Sequence, residues 1–299
     1  MTDRPNLFII GAPKSGTTSL YEYLAGHPQV FMAPIKEPFY FCPDVRIGLR
    51  PRLEHPADES RYLRLFAAAG GALRRGEATT RYLVSAAAPE LIGAFQPDAQ
   101  IVVSLREPVA MMAALHSQRV SGGNEDITDF EQALAADDDR RHGRRLPPGS
   151  NARGAVYRDN ARYGELLEPW LEQFGRDRVH IIIFDELAAQ PAATFARLLS
   201  FLGVDPSYEP RTFDVRNPRH RQRRTVRAVA DSRLGRLVSV RIATAVLGED
   251  RRARLAGTLR RSRVGRRTVP PEPIATHVRN ALQRELASDV ARLSELIGR

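Results

Sequence analysis

Residues Gly11-Ala12-Pro13-Lys14-Ser15-Gly16-Thr17-Thr18-Ser19 gather an ammonium, two glycines and four hydroxyls between the apolar run NLFII and the helically spaced Leu20, Tyr23 and Leu24. A strand-to-helix turn of this kind offers backbone N–H groups and the positive end of a helix dipole to an anion. Gly11 and Gly16 keep the spacing of the triphosphate pattern G-x-x-x-x-G-K-[ST], but Thr17 stands where that pattern needs lysine, and Lys14 comes three residues earlier. The loop therefore suits a phosphate-like group flanked by Lys14 and lined by Ser15, Gly16, Thr17 and Thr18. The missing lysine speaks against a nucleotide kinase or ATPase, which stays as the alternative enzyme class. Of 45 basic residues only Lys14 and Lys36 are lysines, and a compact ammonium is a point charge where arginine would be a fork. Lys36 opens a second segment, Lys36-Glu37-Pro38-Phe39-Tyr40-Phe41, in which a carboxylate precedes an apolar wall.

GAPKSGTTSLYEYLAGHP resembles the 5′-phosphosulfate loop of sulfotransferases that use 3′-phosphoadenosine 5′-phosphosulfate, PAPS. The block IVVSL-Arg106-Glu107-Pro108-VAMMAALHSQ resembles that family's second cofactor segment, in which Arg and a Ser eight residues later hold the 3′-phosphate. Here the eighth residue is Ala114, so either Arg106 carries that phosphate with help from elsewhere, Ser117 being one source, or cofactor affinity is weakened. Lys36-Glu37-Pro38 resembles the K-E-P segment of carbohydrate and bacterial members, whose Glu is taken as the catalytic base. GEATTRYL at 76–83 follows their G-E-x-(S/T)-P-x-Y-L segment, with Thr80 in place of Pro.

The resemblance covers about residues 6–206 and, more loosely, the Asn217-Pro218-Arg219 loop and the last helix. It implies PAPS as donor, its bisphosphate PAP as product, no metal, and a hydroxyl on a sugar, lipid or small metabolite as acceptor. The implied cofactor residues are Lys14, Ser15, Gly16, Thr17, Thr18, Arg106, Tyr163, Arg219 and Arg221. Glu37 is the expected base, with Lys14 opposite the leaving phosphate. His116 is the rival base, since imidazole titrates near neutrality, and otherwise a packing or acceptor-orienting residue. Tyr40, Tyr82 and His116 are the expected acceptor contacts.

Positioning these groups requires a sheet. NLFII, IVVSL at 101–105 and VHIIIF at 179–184 are apolar on both faces, as buried parallel strands are. Between them MMAALHSQRV, DFEQALAADDDRR, YGELLEPWLEQFG and ATFARLLSFLG have helical periodicity, the last two closing on Gly. The alternation predicts an α/β fold, a doubly wound, mostly parallel sheet flanked by helices with a P-loop-like nucleotide core. One domain is expected over 1–299: a core at about 6–210, an arginine-rich segment at 211–267 and a C-terminal helix at about 274–298. Residues 142–154, rich in Gly, Pro and Arg, are expected to form a mobile loop.

Composition narrows the class. With 42% apolar residues, 27% charged and no unbroken apolar run near 20, the chain has the make-up of a soluble globular protein. The apolar stretch at the start is too short for a signal peptide, so a cytoplasmic location is expected. Cys42 is the only cysteine, which excludes an internal disulfide and a cysteine-based metal cluster. The formal charge of +10 is local: residues 211–267 carry eighteen Arg against four acids, +14, leaving −4 elsewhere. Arg there alternates with Val, Leu and Ala rather than aromatics, so base stacking on nucleic acid is not expected. The third alternative is a non-catalytic module whose basic region binds an anion, nucleic acid or membrane, and peripheral contact with acidic lipid through this stretch is compatible with the enzyme as well.

Overall fold

The computed structural model describes residues 4–45, 47, 59–213, 221–222, 266–267 and 274–299. The chain falls into two units, Met1–Arg216 with Pro273–Arg299, and Asn217–Glu272. In the second, the described residues form a two-residue antiparallel ladder, β6 (Arg221–Gln222) with β7 (Arg266–Arg267).

The first unit is built on five parallel strands: β1 (Leu7–Gly11), β2 (Val30–Met32), β3 (Arg74–Ala78), β4 (Gln100–Leu105) and β5 (Val179–Ile183), in the order β2-β3-β1-β4-β5. Side chains alternate across a strand, so β1 feeds two cores: Phe8 and Ile10 join one with Ile101 and Val103, while Leu7 and Ile9 join the other with Val102. Both faces are thus covered by helices, as a doubly wound sheet requires. The side of Leu7 holds α1 (Thr17–Ala25) and α10 (Pro191–Leu202), through Leu20, Leu24, Phe195 and Leu198.

On the side of Phe8 lie α3 (Ala88–Phe95), α4 (Pro108–Gly122) and α8 (Tyr163–Phe174), bringing Ile92, Met111, Leu167 and Trp170 into the core. α4 starts where Glu107 accepts the backbone N–H groups of Val109 and Ala110, and Pro108 supplies the first helical φ. The short α2 (Glu59–Leu63) adds Tyr62 to the same core.

Three expectations change. The predicted helix around 129–141 is two, α5 (Phe130–Ala135) and α6 (Asp137–Arg141), because Asp137 turns inward to accept N–H groups of Tyr157 and Arg158. The 142–154 stretch is not all loop: it runs into α7 (Ala152–Ala155), which buries Gly154, while Arg144 pairs with Asp139 and Asn151 donates to the Asp44 carbonyl. The final helix is also two, α11 (Thr276–Glu285) and α12 (Ala287–Ile297), separated at Leu286. α9 (Phe184–Ala189) follows β5 directly.

Candidate active site

The carboxyl ends of β3, β1 and β4 meet where strand order reverses, the place at which open α/β sheets collect ligands. The Gly11–Gly16 loop leaves β1 there. The Ala12 N–H donates to the Ser104 carbonyl (2.7 Å), the Ser104 hydroxyl donates to the Ser15 carbonyl (2.6 Å), and Arg106 reaches the Lys14 carbonyl (3.4 Å). The end of β4 therefore shapes the loop from beneath. Gly16 stands at the N-cap of α1 with φ 80°, and a Cβ there would lie 3.2 Å from Phe184 and Leu187. Glycine meets both demands at once. Among the described residues no side chain caps α1 and its first turn holds no acid, so the positive end of its dipole is turned to the loop.

Arg106 lies over the Phe184 ring at 5.0 Å, which fixes the guanidinium beside the loop. Phe184, at the β5–α9 junction, thus packs against both Gly16 and Arg106. Its place at a strand end was the available signal, but its apolar side chain did not mark it as functional. Tyr163 opens α8 with 1% exposure, its hydroxyl next to Ser15 and the Arg106 backbone, with no hydrogen bond of normal geometry. Burial raises its pKa, so the phenol stays protonated and can donate. A buried, unspent donor beside uncapped N–H groups fits a phosphate-bearing ligand.

Glu37 reaches the same end of the sheet from the β2–β3 side. Its N–H donates to the Ala78 carbonyl (2.9 Å), the Thr79 N–H donates to the Ile9 carbonyl (3.0 Å), and Ala78 pairs with Ile9 across β3 and β1. The Glu37 carboxylate accepts the Thr80 hydroxyl on Oε1 at 3.0 Å, and the Lys36 ammonium stands 3.8 Å from that oxygen. Glu37 and Phe39 both hold positive φ, 60° and 61°, as does Lys14 at 62°. Of the four non-glycine residues with positive φ among those described, three lie in these two loops, the kind of backbone cost found at functional sites.

Behind this turn Glu77 is wholly buried. Its Oε1 accepts hydroxyls of Tyr82 (2.6 Å) and Tyr62 (3.0 Å), and its Oε2 accepts that of Thr79 (2.6 Å). Loss of hydration raises its pKa to about 7, against the pull of those three hydroxyls and of Lys36.

The loop residues Lys14, Ser15, Gly16, Thr17 and Thr18 come together with Arg106 and Tyr163, and Glu37 shares their end of the sheet. His116 does not join them. It is 6% exposed, about 12 Å along α4 from Pro108 at 1.5 Å per residue, with Nε2 at 2.9 Å from the Ile127 carbonyl and its ring between Phe130 and Tyr157. Burial lowers its pKa, consistent with a packed neutral imidazole. Tyr40 and Tyr82, the expected acceptor contacts, are placed in the hydrophobic core. Tyr40 is buried and stacked on Tyr62 at 4.3 Å, and Tyr82 directs its hydroxyl to Glu77. Ala114 is buried, and Ser117 lies partly exposed on α4. Arg219 and the side chain of Arg221 lie outside the described residues.

The last helices complete the frame. Asp289 on α12 accepts the N–H groups of Gly164 and Glu165 (both 3.0 Å), capping α8 from another element. Arg279 on α11 stands 3.5 Å from Glu107. Among the described residues no His/Cys/Asp/Glu group has the make-up of a metal site, and no helix is long and apolar enough to cross a membrane.

Comparison with known proteins places this geometry in context. A model described as "Sulfotransferase family" matches residues 5–210. Heparan sulfate glucosamine 3-O-sulfotransferase 6 of Homo sapiens is 30% identical over 203 residues, covering 67% of this chain and 52% of that protein. Carbohydrate sulfotransferase 15 of Rattus norvegicus is 26% identical over 257 residues, covering 69% and 45%. The chain thus spans about half the length of the curated relatives it matches. A sulfotransferase crystal structure from Alicyclobacillus acidocaldarius superposes with a TM-score of 0.69 at 26% identity, covering 99% of this chain and 96% of that one.

Proposed function

The chain belongs to the sulfotransferase family, and from that premise we propose that it moves the sulfuryl group of PAPS onto a hydroxyl of a carbohydrate. Two relatives, a carbohydrate sulfotransferase and a heparan sulfate glucosamine 3-O-sulfotransferase, support the sugar over the lipid or small metabolite.

When bound, PAPS supplies a sulfuryl group on a phosphate leaving group. The chain's own residues must then hold that phosphate, hold the acceptor oxygen in line, and remove the acceptor's proton. Lys14 and the leading N–H groups of α1 bear on the leaving phosphate, where negative charge grows as the sulfur–oxygen bond breaks. Arg106, steadied on Phe184, is suited to the 3′-phosphate, and the Tyr163 phenol to a nearby phosphate or ribose oxygen. Glu37 accepts the proton that the acceptor hydroxyl releases as its oxygen bonds to sulfur. The balance is one O–S bond made, one O–S bond broken, and one proton transferred to a carboxylate.

The observation that carries this reading is the uncapped N-terminus of α1 beside Arg106 with Glu37 on the same end of the sheet. Sulfate transfer from labelled PAPS to a panel of sugars, phenols and lipids tests it, together with calorimetric titration of PAP. Glu37→Gln should lower kcat by about 10² to 10⁴ with PAP affinity kept, and Lys14→Ala should weaken PAP binding. Magnesium-dependent ATP turnover without sulfate transfer, or tight salt-sensitive nucleic acid or vesicle binding without PAP binding, would overturn it.

A further inference from the structure

We infer that Thr80 is a positioning residue that assigns the two oxygens of Glu37 their roles, holding Oε1 so that Oε2 is presented to the acceptor hydroxyl. The inference rests on the reading of Glu37 as base. Among the described residues Oε1 takes both polar contacts, the Thr80 hydroxyl at 3.0 Å and the Lys36 ammonium at 3.8 Å, and no hydrogen bond or ion pair engages Oε2. A carboxylate fixed through one oxygen rotates little about its last torsion, and a proton-accepting lone pair must lie within hydrogen-bond reach of the acceptor.

Thr80 can do this because the chain on both sides of it is anchored. Thr79 is buried, with its N–H on Ile9 and its hydroxyl on Glu77. Arg81 lies over the Phe39 ring at 4.3 Å and donates to the Ile47 carbonyl at 2.9 Å. Glu37 is anchored too, through its N–H to Ala78 and through the positive-φ turn at residues 37 and 39. Two short segments 43 residues apart are thereby locked in one register, and their polar meeting point is the Thr80–Glu37 bond.

The test compares Thr80→Val, Thr80→Ser and Thr80→Pro, each alone and with Glu37→Gln, reading kcat, KM for donor and acceptor, and PAP affinity. Thr80→Val and Thr80→Pro should lower kcat roughly tenfold with KM values and PAP affinity within about twofold, and Thr80→Ser should recover most of the rate. In the Glu37→Gln background Thr80→Val should have no further effect, since both act on the same proton transfer. Full kcat in Thr80→Val, or losses that multiply with Glu37→Gln, overturns the inference while leaving Glu37 as base. Full turnover in Glu37→Gln overturns the reading of the base itself, and the inference falls with it. Should Thr80→Val lose PAP binding through misfolding, Thr80→Ala is scored by the same criteria.

Discussion

Replacing Glu77 by Gln should make the protein more stable, and more so as the pH rises. Glu77 is wholly buried and ringed by the hydroxyls of Tyr62, Tyr82 and Thr79, with no cation in hydrogen-bonding contact. In the folded state its pKa is raised from 4.5 to about 7. Between those values the folded protein keeps a proton that the unfolded chain has released, so stability falls as pH rises through this window and is lowest above it. At about 1.4 kcal/mol per unit, the cost at pH 8 is on the order of 3 kcal/mol. Gln keeps the volume, its carbonyl accepts the two tyrosine hydroxyls, and its amide donates to Thr79 once that hydroxyl turns. Urea unfolding from pH 4.5 to 8 should show equal midpoints at the acid end and a growing advantage for Glu77→Gln toward pH 8. Parallel pH profiles for the two proteins, or a variant less stable at pH 8, would refute the reasoning.

Two further outcomes follow from packing. Arg140 and Glu125 form an ion pair at 2.9 Å with both side chains fully buried, and Tyr157 also donates to Glu125. Glu125→Ala strands a guanidinium and should cost about 3–5 kcal/mol in denaturant unfolding, Glu125→Gln less. Asp289→Ala removes the cap from Gly164 and Glu165 and should cost about 1–2 kcal/mol. Because Tyr163 opens the same helix, PAP titration of that variant should also show weakened binding.

What the chain disclosed in advance follows from what each element buries. β1, β4 and β5 send apolar side chains to both faces and so appear as apolar-rich runs, interrupted in β4 by Ser104 and in β5 by His180. β2, three residues long, and β3, RRGEA, carry no such mark. β3 exposes part of Arg74 and Arg75 and buries a carboxylate, which only the three hydroxyl partners make tolerable. The anion loop was legible because its chemistry is local to nine residues. The packing of His116 was hidden because the carbonyl that its imidazole meets belongs to a loop eleven residues on. The Thr80–Glu37 bond depends on strand register, which no spacing along the chain encodes. Arg219 and Arg221 fall on segments whose side chains are not described.

The Asp289 clasp has a bearing on how the molecule is made. The helix that presents Tyr163 is finished by residues synthesised more than a hundred positions later, after the whole Asn217–Glu272 unit has been translated. A growing chain halted before α12 has its sheet strands available for pairing, but the start of α8 still lacks its acceptor and the surface that α12 covers is open to solvent. Completion of the corner around Tyr163 thereby waits on residues translated after the Asn217–Glu272 unit, and a nascent chain should need shielding of that apolar face until then.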